Sequence, residues 1–321
     1  MREMLHHRRP LRRRPAPSSR RAVVPLVVLL LALPAPPAAV GEETPPGGRA
    51  EDRAPAPYGL HQLRLDLRYM LRRPFELDRR DKRHLALTGA LTAGLYLLRD
   101  DIRDEVQDSR SDGRERLLQD ARLVSRGAVA PGLALAAYLA SFATGEAREK
   151  ETALMLLESA AAAAVISGVG SFVLAAERPE DGDAIRSLRI DGHGVSLDAA
   201  LAAAIVEPLR CQYLRPRPGS RPAARAGKHA ASAVLYLAAA LTAFQRLDQD
   251  KHWAPDAFLG VAGALAAGRT LCEAHGKRPA RRLALAPLAV RGGGGVALRL
   301  RLGRSPPAGS PRDPAPRPPS W

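Results

Sequence analysis

Aromatic residues and cysteines are scarce in this chain. Phe, Trp and Tyr make up only 4% of the 321 residues, so the chain lacks the stacking platforms with which proteins usually bind single-stranded nucleic acid. Cys211 and Cys272 are the only cysteines, which excludes a disulfide framework and a cysteine metal site. They still allow a single disulfide in an oxidising compartment.

Hydrophobic residues are abundant, at 46%, and positive charge is in excess, with a formal net charge of +16. The charge is concentrated at the two ends. Residues 1–21 carry eight basic residues and one acidic residue, and residues 273–321 carry ten and two. Because these basic ends flank long apolar runs, the composition favours a membrane protein over a nucleic-acid-binding protein.

The N-terminal segment is typical of an export signal. Residues 1–40 combine a basic stretch, the apolar sequence AVVPLVVLLLALPA and small residues where cleavage would occur, and an uncleaved anchor is the alternative. Residues 41–57 and 303–321 are rich in proline, glycine and charge, which predicts disorder. The sequence therefore predicts a protein of the cell envelope.

Six apolar runs rich in alanine and leucine follow, and their lack of strand-like alternation predicts helices. The expected fold is all-α: a six-helix bundle over 85–272, preceded by an amphipathic interfacial helix within 58–84. Residues 282–302 alternate around a glycine turn and predict a short β-hairpin. The six runs are Leu85–Leu98, Gly127–Ala143, Thr152–Ala176, Val195–Leu209, Ala230–Phe244 and Ala257–Leu271.

The sequence allows two locations for this bundle, the membrane and the periplasm. Some runs are short for a bilayer, and Glu158 and Asp198 interrupt two of them, so a soluble periplasmic bundle is the alternative to a membrane-embedded one. In a membrane, the connections 99–126, 177–194 and 245–256 are acidic on balance, whereas residues 210–228 hold six basic and no acidic residues. The positive-inside rule then places these acidic connections on the periplasmic side of the inner membrane. A translocated signal segment would leave 41–84 outside and predicts the reverse.

Polar residues from three segments are expected to meet at one end of the bundle. Arg178 follows the third run and His193 precedes the fourth. The fourth and fifth runs each extend for about 22 Å, so Arg246 returns to the level of His193, with His252 close behind. Arginines match the geometry of a tetrahedral oxyanion. Two histidines suit covalent phosphoryl transfer, and an aspartate such as Asp256 can hold the attacking imidazole in one tautomer.

These segments resemble the motifs of the type 2 phosphatidic acid phosphatase and vanadium haloperoxidase superfamily. The motifs K-x6-R-P, P-S-G-H and S-R-x5-H-x3-D compare with SFVLAAERP (171–179), IDGH (190–193) and QRLDQDKHWAPD (245–256). The resemblance covers about residues 85–272. It implies that Arg178, Arg246 and Gly192 bind phosphate. It also implies that His193 is the general acid, that His252 is the nucleophile and that Asp256 orients His252.

The chain departs from those motifs at four positions. Ser171 replaces the phosphate-binding lysine, Asp191 replaces the serine beside the general acid, and Ile190 and Gln245 replace a proline and a serine. A carboxylate at 191 would repel phosphate, and the missing lysine removes an opposing charge. Two interpretations follow, a phosphatase with an altered site or a helical scaffold without catalysis.

The resemblance implies hydrolysis of a phosphomonoester or diphosphate of a lipid or isoprenoid, without metal or other cofactor and without nucleic acid. The alternative is a silent membrane scaffold or lipid-phosphate-binding protein, and a vanadate-dependent peroxidase is a third. His229 in GKHAASAV imitates a family motif, but about 25 Å of helix separates it from Arg246. Trp253 is expected to be an interfacial anchor.

Overall fold

The computed structural model of the chain describes residues 60–116, 118, 129–145, 147–182, 188, 193–217, 219–276, 283–290 and 293–300. The predicted signal or anchor (1–40), the linker (41–57) and the C-terminal tail (303–321) lie outside the described residues, as do Ile190, Asp191 and Gly192.

Most of the described residues are helical, as the alanine and leucine content predicts. A two-stranded antiparallel pair follows the last helix, with Leu283 opposite Leu300. The helices are α1 (Leu60–Arg72), α2 (Arg79–Leu97), α3 (Arg99–Asp108), α4 (Val129–Thr144), α5 (Ala147–Leu174), α6 (Leu197–Ala204), α7 (Val206–Leu209), α8 (Pro222–Asp248) and α9 (Ala254–Gly276), and the strands are β1 (Leu283–Val290) and β2 (Gly293–Leu300).

Helices α2 and α8 begin before the apolar runs that predicted them, because local capping extends them into polar sequence. The carboxylate of Asp78 accepts hydrogen bonds from the backbone N–H groups of Arg80 and Asp81 at 2.8 and 2.7 Å, which caps the first turn of α2. Helix α8 begins with Pro222, whose missing N–H costs nothing in a first turn.

Helix α9 is the centre of the bundle and contacts seven of the other helices, namely α1, α2, α3, α5, α6, α7 and α8. Small residues allow this close packing. A Cβ added to Gly260 would lie 2.6 Å from the carbonyl oxygen of Ser196, so only glycine lets α9 approach the start of α6 at this distance. Most of the fully buried positions of α6, α8 and α9 are alanines.

The chain runs back and forth, so the bundle has two ends. At one, which we call the loop end, the N–H of Ser196 donates to the carbonyl oxygen of Asp256 at 3.2 Å. At the other, the disulfide end, Cys211 and Cys272 form a disulfide. The sequence allowed this bond, and it joins the segment after α7 to the last turns of α9.

Large apolar side chains point away from the bundle on its outer helices. Phe142 on α4, Val165 on α5 and Val234 on α8 are 71%, 64% and 64% exposed. Soluble monomers rarely expose large contiguous apolar patches. Helices α8 and α9, and α5 over Arg148–Leu174, are long and apolar enough to cross a membrane, whereas α4 is shorter. The fold is therefore consistent with a membrane protein.

Candidate functional site

The connection between α5 and α6 carries Arg178 and His193. Its two arms are joined because the N–H of His193 donates a hydrogen bond to the carbonyl oxygen of Ala176 at 3.0 Å. The hydroxyl of Ser171 donates to the carbonyl oxygen of Val195 and accepts from its N–H, both at 3.1 Å. Ser171 stands at the position where the family that the chain resembles has a phosphate-binding lysine. Here its hydroxyl holds the segment of His193 in place instead.

Arg246 lies in the last turns of α8, and His252 lies in the short loop to α9. The carbonyl oxygen of Arg246 accepts hydrogen bonds from the N–H groups of Lys251 and His252 at 3.0 and 3.4 Å. The loop thus folds back over the end of α8. The indole N–H of Trp253 donates to the carbonyl oxygen of Glu177 at 3.0 Å, which ties this loop to the segment of Arg178.

The imidazole of His252 lies within the electrostatic influence of three other predicted site residues. Burial lowers its pKa to about 3, and the charges of Arg246, His193 and Arg178 lower it further, while a hydrogen bond with the backbone of His193 opposes the shift. At neutral pH the ring is therefore uncharged. A neutral imidazole has the free lone pair that a nucleophile requires.

Both candidate phosphate-binding arginines contact carboxylates. A terminal nitrogen of Arg246 lies 3.1 Å from Oδ2 of Asp198, and one of Arg178 lies 3.6 Å from Oε1 of Glu180. Glu180 also accepts a hydrogen bond from Nζ of Lys251 at 2.6 Å. The Nε–H groups of the two arginines are buried and donate no hydrogen bond within the described part of the chain.

Asp256 is buried in the first turn of α9, as predicted. The orienting hydrogen bond expected between its carboxylate and Nδ1 of His252 is not made, because Nδ1 and Oδ2 of Asp256 are both buried without a hydrogen-bond partner among the described residues. Buried polar atoms usually find partners. The two atoms could therefore bind a water molecule or each other.

Trp253 is not the interfacial anchor that its sequence context predicts. It is only 4% exposed, and the guanidinium carbons of Arg99 and Arg103 lie 4.9 and 5.7 Å from the centre of its ring. Arg103 in turn binds both carboxylate oxygens of Asp250. The two arginines are one turn apart on α3, so cation–π contacts hold the loop of His252 against that helix.

An open cleft of about 290 Å³ lies beside this cluster, on the outer side of Trp253. Its polar walls include Arg103, Glu180 and Asp181. A second cavity of about 10 Å³ lies between Arg99, Trp253 and His252, which is roughly the volume needed for one water molecule. The cleft is lined by none of the five predicted site residues, whereas His252 lines the small cavity.

Sequence reasoning assigned Arg178, His193, Arg246, His252 and Asp256 to one site, and all five lie at the loop end. Gly192 falls outside the described residues. The rival His229 is exposed near the beginning of α8, and Arg246 is near its end, so they do not share a ligand. The sequence analysis missed the contributions of α3, Glu180 and Lys251. The spacing of Arg99 and Arg103, which places both on one helical face, was the signal for α3.

Comparison with protein-family models, with curated proteins and with solved structures finds no match for this chain. The assignment of a function therefore depends on the geometry and chemistry of the loop end.

Proposed function

We propose that this protein is a phosphatase-like enzyme of the cell envelope that hydrolyses a phosphomonoester or diphosphate of a lipid or isoprenoid. The observation that carries the proposal is that hydrogen bonds hold the segments of Arg178, His193, Arg246 and His252 together at the loop end. Two guanidinium groups and two imidazoles at one end of the bundle are suited to a tetrahedral oxyanion and to proton transfer.

In the proposed reaction His252 attacks phosphorus and forms a phosphohistidine. His193 donates a proton to the leaving oxygen, so the alcohol or phosphate leaves in neutral or less charged form. A water molecule then attacks the phosphohistidine while His193 removes its proton, which restores His252 and releases inorganic phosphate. Arg178 and Arg246 stabilise the negative charge on the transferring group throughout. The protein groups supply all the proton transfers of this scheme.

The carboxylates of Asp198 and Glu180 would leave the arginines when phosphate binds. The Asp198–Arg246 and Glu180–Arg178 contacts are partly exposed, and such ion pairs contribute only about 0–1 kcal/mol each. A phosphate with two or more oxygens in reach of both arginines replaces them at little cost. The carboxylates would then keep the arginines ordered in the absence of substrate.

Lys251 could supply the positive charge that is missing because position 171 is a serine and not a lysine. Its ammonium group binds Glu180, which also contacts Arg178. Displacement of Glu180 by a phosphate would bring Lys251 into reach of the same anion. The third positive charge would thus come from the loop beside His252 instead of from α5.

The apolar outer surface supports a lipid substrate. We propose that the helices α2, α4, α5, α8 and α9, with α6–α7, form a six-helix bundle embedded in the inner membrane, with the exposed side chains of α4, α5 and α8 in contact with lipid. An amphiphilic phosphate ester would then reach the loop end from the bilayer, with its headgroup beside Arg178 and Arg246.

A silent scaffold or lipid-phosphate-binding protein is the second candidate, and two observations favour it. Both arginines contact carboxylates, and the hydrogen bond between Asp256 and Nδ1 of His252 is not made. In this alternative the loop end binds a phosphate headgroup and releases it unchanged.

Phosphate release by purified full-length protein in detergent separates the two candidates. We expect release from lipid or isoprenoid phosphates without added metal and with a chelator present, inhibition by vanadate, and acid-labile phosphate trapped on the protein. His252→Ala should abolish all three, and Asp256→Asn should reduce turnover while substrate binding persists. His229→Ala, an exposed histidine of the disulfide end, is the matched control and should retain full activity. Headgroup binding without release in the wild type would support the scaffold.

A further inference from the structure

A second group of titratable side chains lies at the disulfide end, away from the proposed phosphate site. It consists of Asp66 on α1, Glu158 on α5 and His275 on α9, and one ligand atom of each lies within 4.8 Å of the other two. Nε2 of His275 is 3.3 Å from Oδ2 of Asp66. Three helices therefore bring one imidazole and two carboxylates to one point.

These ligands are set into the protein, unlike a cluster of surface carboxylates. The side chains of His275 and Asp66 are only 4% and 2% exposed, and Glu158 is half-buried. Moving a carboxylate out of water is costly unless a cation or several donors compensate. Although both carboxylates have other contacts, Oδ1 of Asp66 and Oε2 of Glu158 are buried and accept no hydrogen bond from the described residues.

The other ring nitrogen of His275 is already oriented. Nδ1 contacts Oε1 of Glu151, one turn from the beginning of α5. In metal sites, a ligating histidine almost always gives its second N–H to a carboxylate or carbonyl, which fixes the tautomer and directs the free nitrogen at the metal. The contact with Glu151 leaves Nε2 of His275 facing Asp66.

The packing of α1 agrees with a ligand here. The exposed residues of α1 include Leu63, Leu67 and Leu71, at 45%, 55% and 63%, whereas the residues that it buries most deeply are the polar Gln62 and Asp66, at 5% and 1%. Met70 also packs against the bundle, beside Leu271. Apolar burial therefore accounts for only part of the contact between α1 and the bundle, and a metal bound by Asp66 would add to it.

We propose that Asp66, Glu158 and His275 bind a divalent metal ion of the Zn²⁺ class, with Glu151 positioning the histidine. One imidazole nitrogen and two carboxylate oxygens are a ligand set that Zn²⁺ accepts, and water or a second carboxylate oxygen completes the tetrahedron. Asp256 and His275 are nineteen residues apart on α9, about 28 Å, so this ion takes no part in phosphoryl transfer. It fastens α1, with its outward leucines, to α5 and to the end of α9.

Zn²⁺ alone is the probe, offered to full-length protein that carries no histidine tag. We expect one Zn²⁺ per chain by elemental analysis after dialysis. The double variant Asp66→Asn/Glu158→Gln should lose it, and Glu151→Gln should weaken binding about 10- to 100-fold. Glu273→Gln is the matched control, because Glu273 lies two residues from His275 but binds Tyr69 and Arg73. It should retain the ion, as should His6→Ala/His7→Ala, which removes an adventitious histidine pair.

Two measurements on the wild type test the proposal without any variant, so they do not depend on whether a variant folds. Co²⁺ should replace Zn²⁺ and give visible absorption bands of a four-coordinate site, and chelation should make α1 cleavable by protease. A wild type that binds no Zn²⁺, or a double variant that still binds it, would overturn the proposal. His252→Ala should keep the ion, so failure of the phosphatase proposal leaves this result unchanged. The double variant should lose the ion but keep phosphate release.

Discussion

His252 combines burial of its ring with proximity to positive charge, and both lower the pKa of its imidazole. The unfolded chain would protonate this ring near pH 6.5, whereas the folded protein does so only near pH 3. Between these values the unfolded state binds more protons. The contribution of His252 to stability is therefore complete above pH 6.5 and is lost as the pH falls towards 3.

This difference predicts a specific pH dependence. Between pH 7 and pH 5 the free energy of unfolding should fall by about 2 kcal/mol through His252 alone, at 1.36 kcal/mol per pH unit below 6.5. Unfolding in detergent, followed by helical circular dichroism, should show this fall in the wild type. His252→Gln should remove it, since the amide does not titrate, while His229→Gln should not. Equal pH dependence in wild type and His252→Gln would show that the ring is accessible to protons.

Asp198 limits the affinity of the site for anions, because it occupies Arg246 in the absence of a ligand. We expect Asp198→Asn to tighten vanadate binding about 1.4- to 5-fold, since a partly exposed pair of this kind is worth about 0.2–1 kcal/mol. Isothermal titration with vanadate measures the change. Asp81→Asn removes a carboxylate paired with Arg73 away from the site and should have no effect. Weaker vanadate binding in Asp198→Asn would mean that Asp198 positions Arg246 for the anion.

The placement of the predicted residues at one end of the bundle was predictable from helix lengths. Arg246, His252 and Asp256 lie close together along the chain, and the matched lengths of the fourth and fifth apolar runs brought Arg178 and His193 to the same end. The partners of these residues were not predictable. Glu180 meets Lys251 and Arg178, and Ser171 meets Val195, only because the loops fold back on one another, and no local pattern encodes those contacts.

At the level of elements, the apolar helices were predicted well from their apolar runs, whereas the polar helix α3 was not predicted. The runs that predicted α5, α8 and α9 are long and rich in alanine, so periodicity was not needed to identify them. Helix α3 was missed, because RDDIRDEVQD contains only Ile102 and Val106 as apolar residues. These two are buried against the bundle, which shows that tertiary packing of one apolar stripe stabilises α3.

The approach of α6 to α9 sets the distance between the segments of His193 and His252. Gly260→Ala should force the two helices apart, since its Cβ would lie 2.6 Å from the backbone oxygen of Ser196. We expect destabilisation of about 1–3 kcal/mol, as for other overpacked positions, and a loss of phosphate release. Gly168→Ala on α5 meets nothing within 4 Å. This control should be neutral or stabilise by up to about 1 kcal/mol through helix propensity.

Thermal unfolding and phosphate release are the two readouts for this pair of variants. If Gly260→Ala unfolds at the same temperature as Gly168→Ala and keeps full activity, then α6 and α9 do not need this contact, and the spacing of the site does not depend on it.

On the scale of the whole molecule, two features give different orientations in a membrane. The loop end carries the more acidic connections, and the segment 210–228 at the disulfide end is basic, so the positive-inside rule places the loop end in the periplasm. The Cys211–Cys272 disulfide lies at the other end. Thiols in the cytosol are kept reduced, so this bond places the disulfide end in an oxidising compartment. A translocated N-terminal segment would leave residues 41–84 on that same side.

We expect the disulfide to decide the orientation, because the bond forms only where thiols are oxidised, whereas charge bias is a tendency. In cells, Cys211 and Cys272 should resist alkylation until a reductant is added. A single cysteine introduced at Arg221, exposed beside the start of α8, should react with a membrane-impermeant maleimide before lysis. A single cysteine introduced at Asp181, exposed at the loop end, reports the side of the membrane on which the loop end lies.

Labelling at both positions before lysis indicates a wholly periplasmic bundle, and labelling at 221 alone indicates a spanning bundle whose phosphate site faces the cytoplasm. Labelling at 181 alone, with both native cysteines reactive, would show that the charge distribution sets the orientation and that the disulfide does not form in the cell.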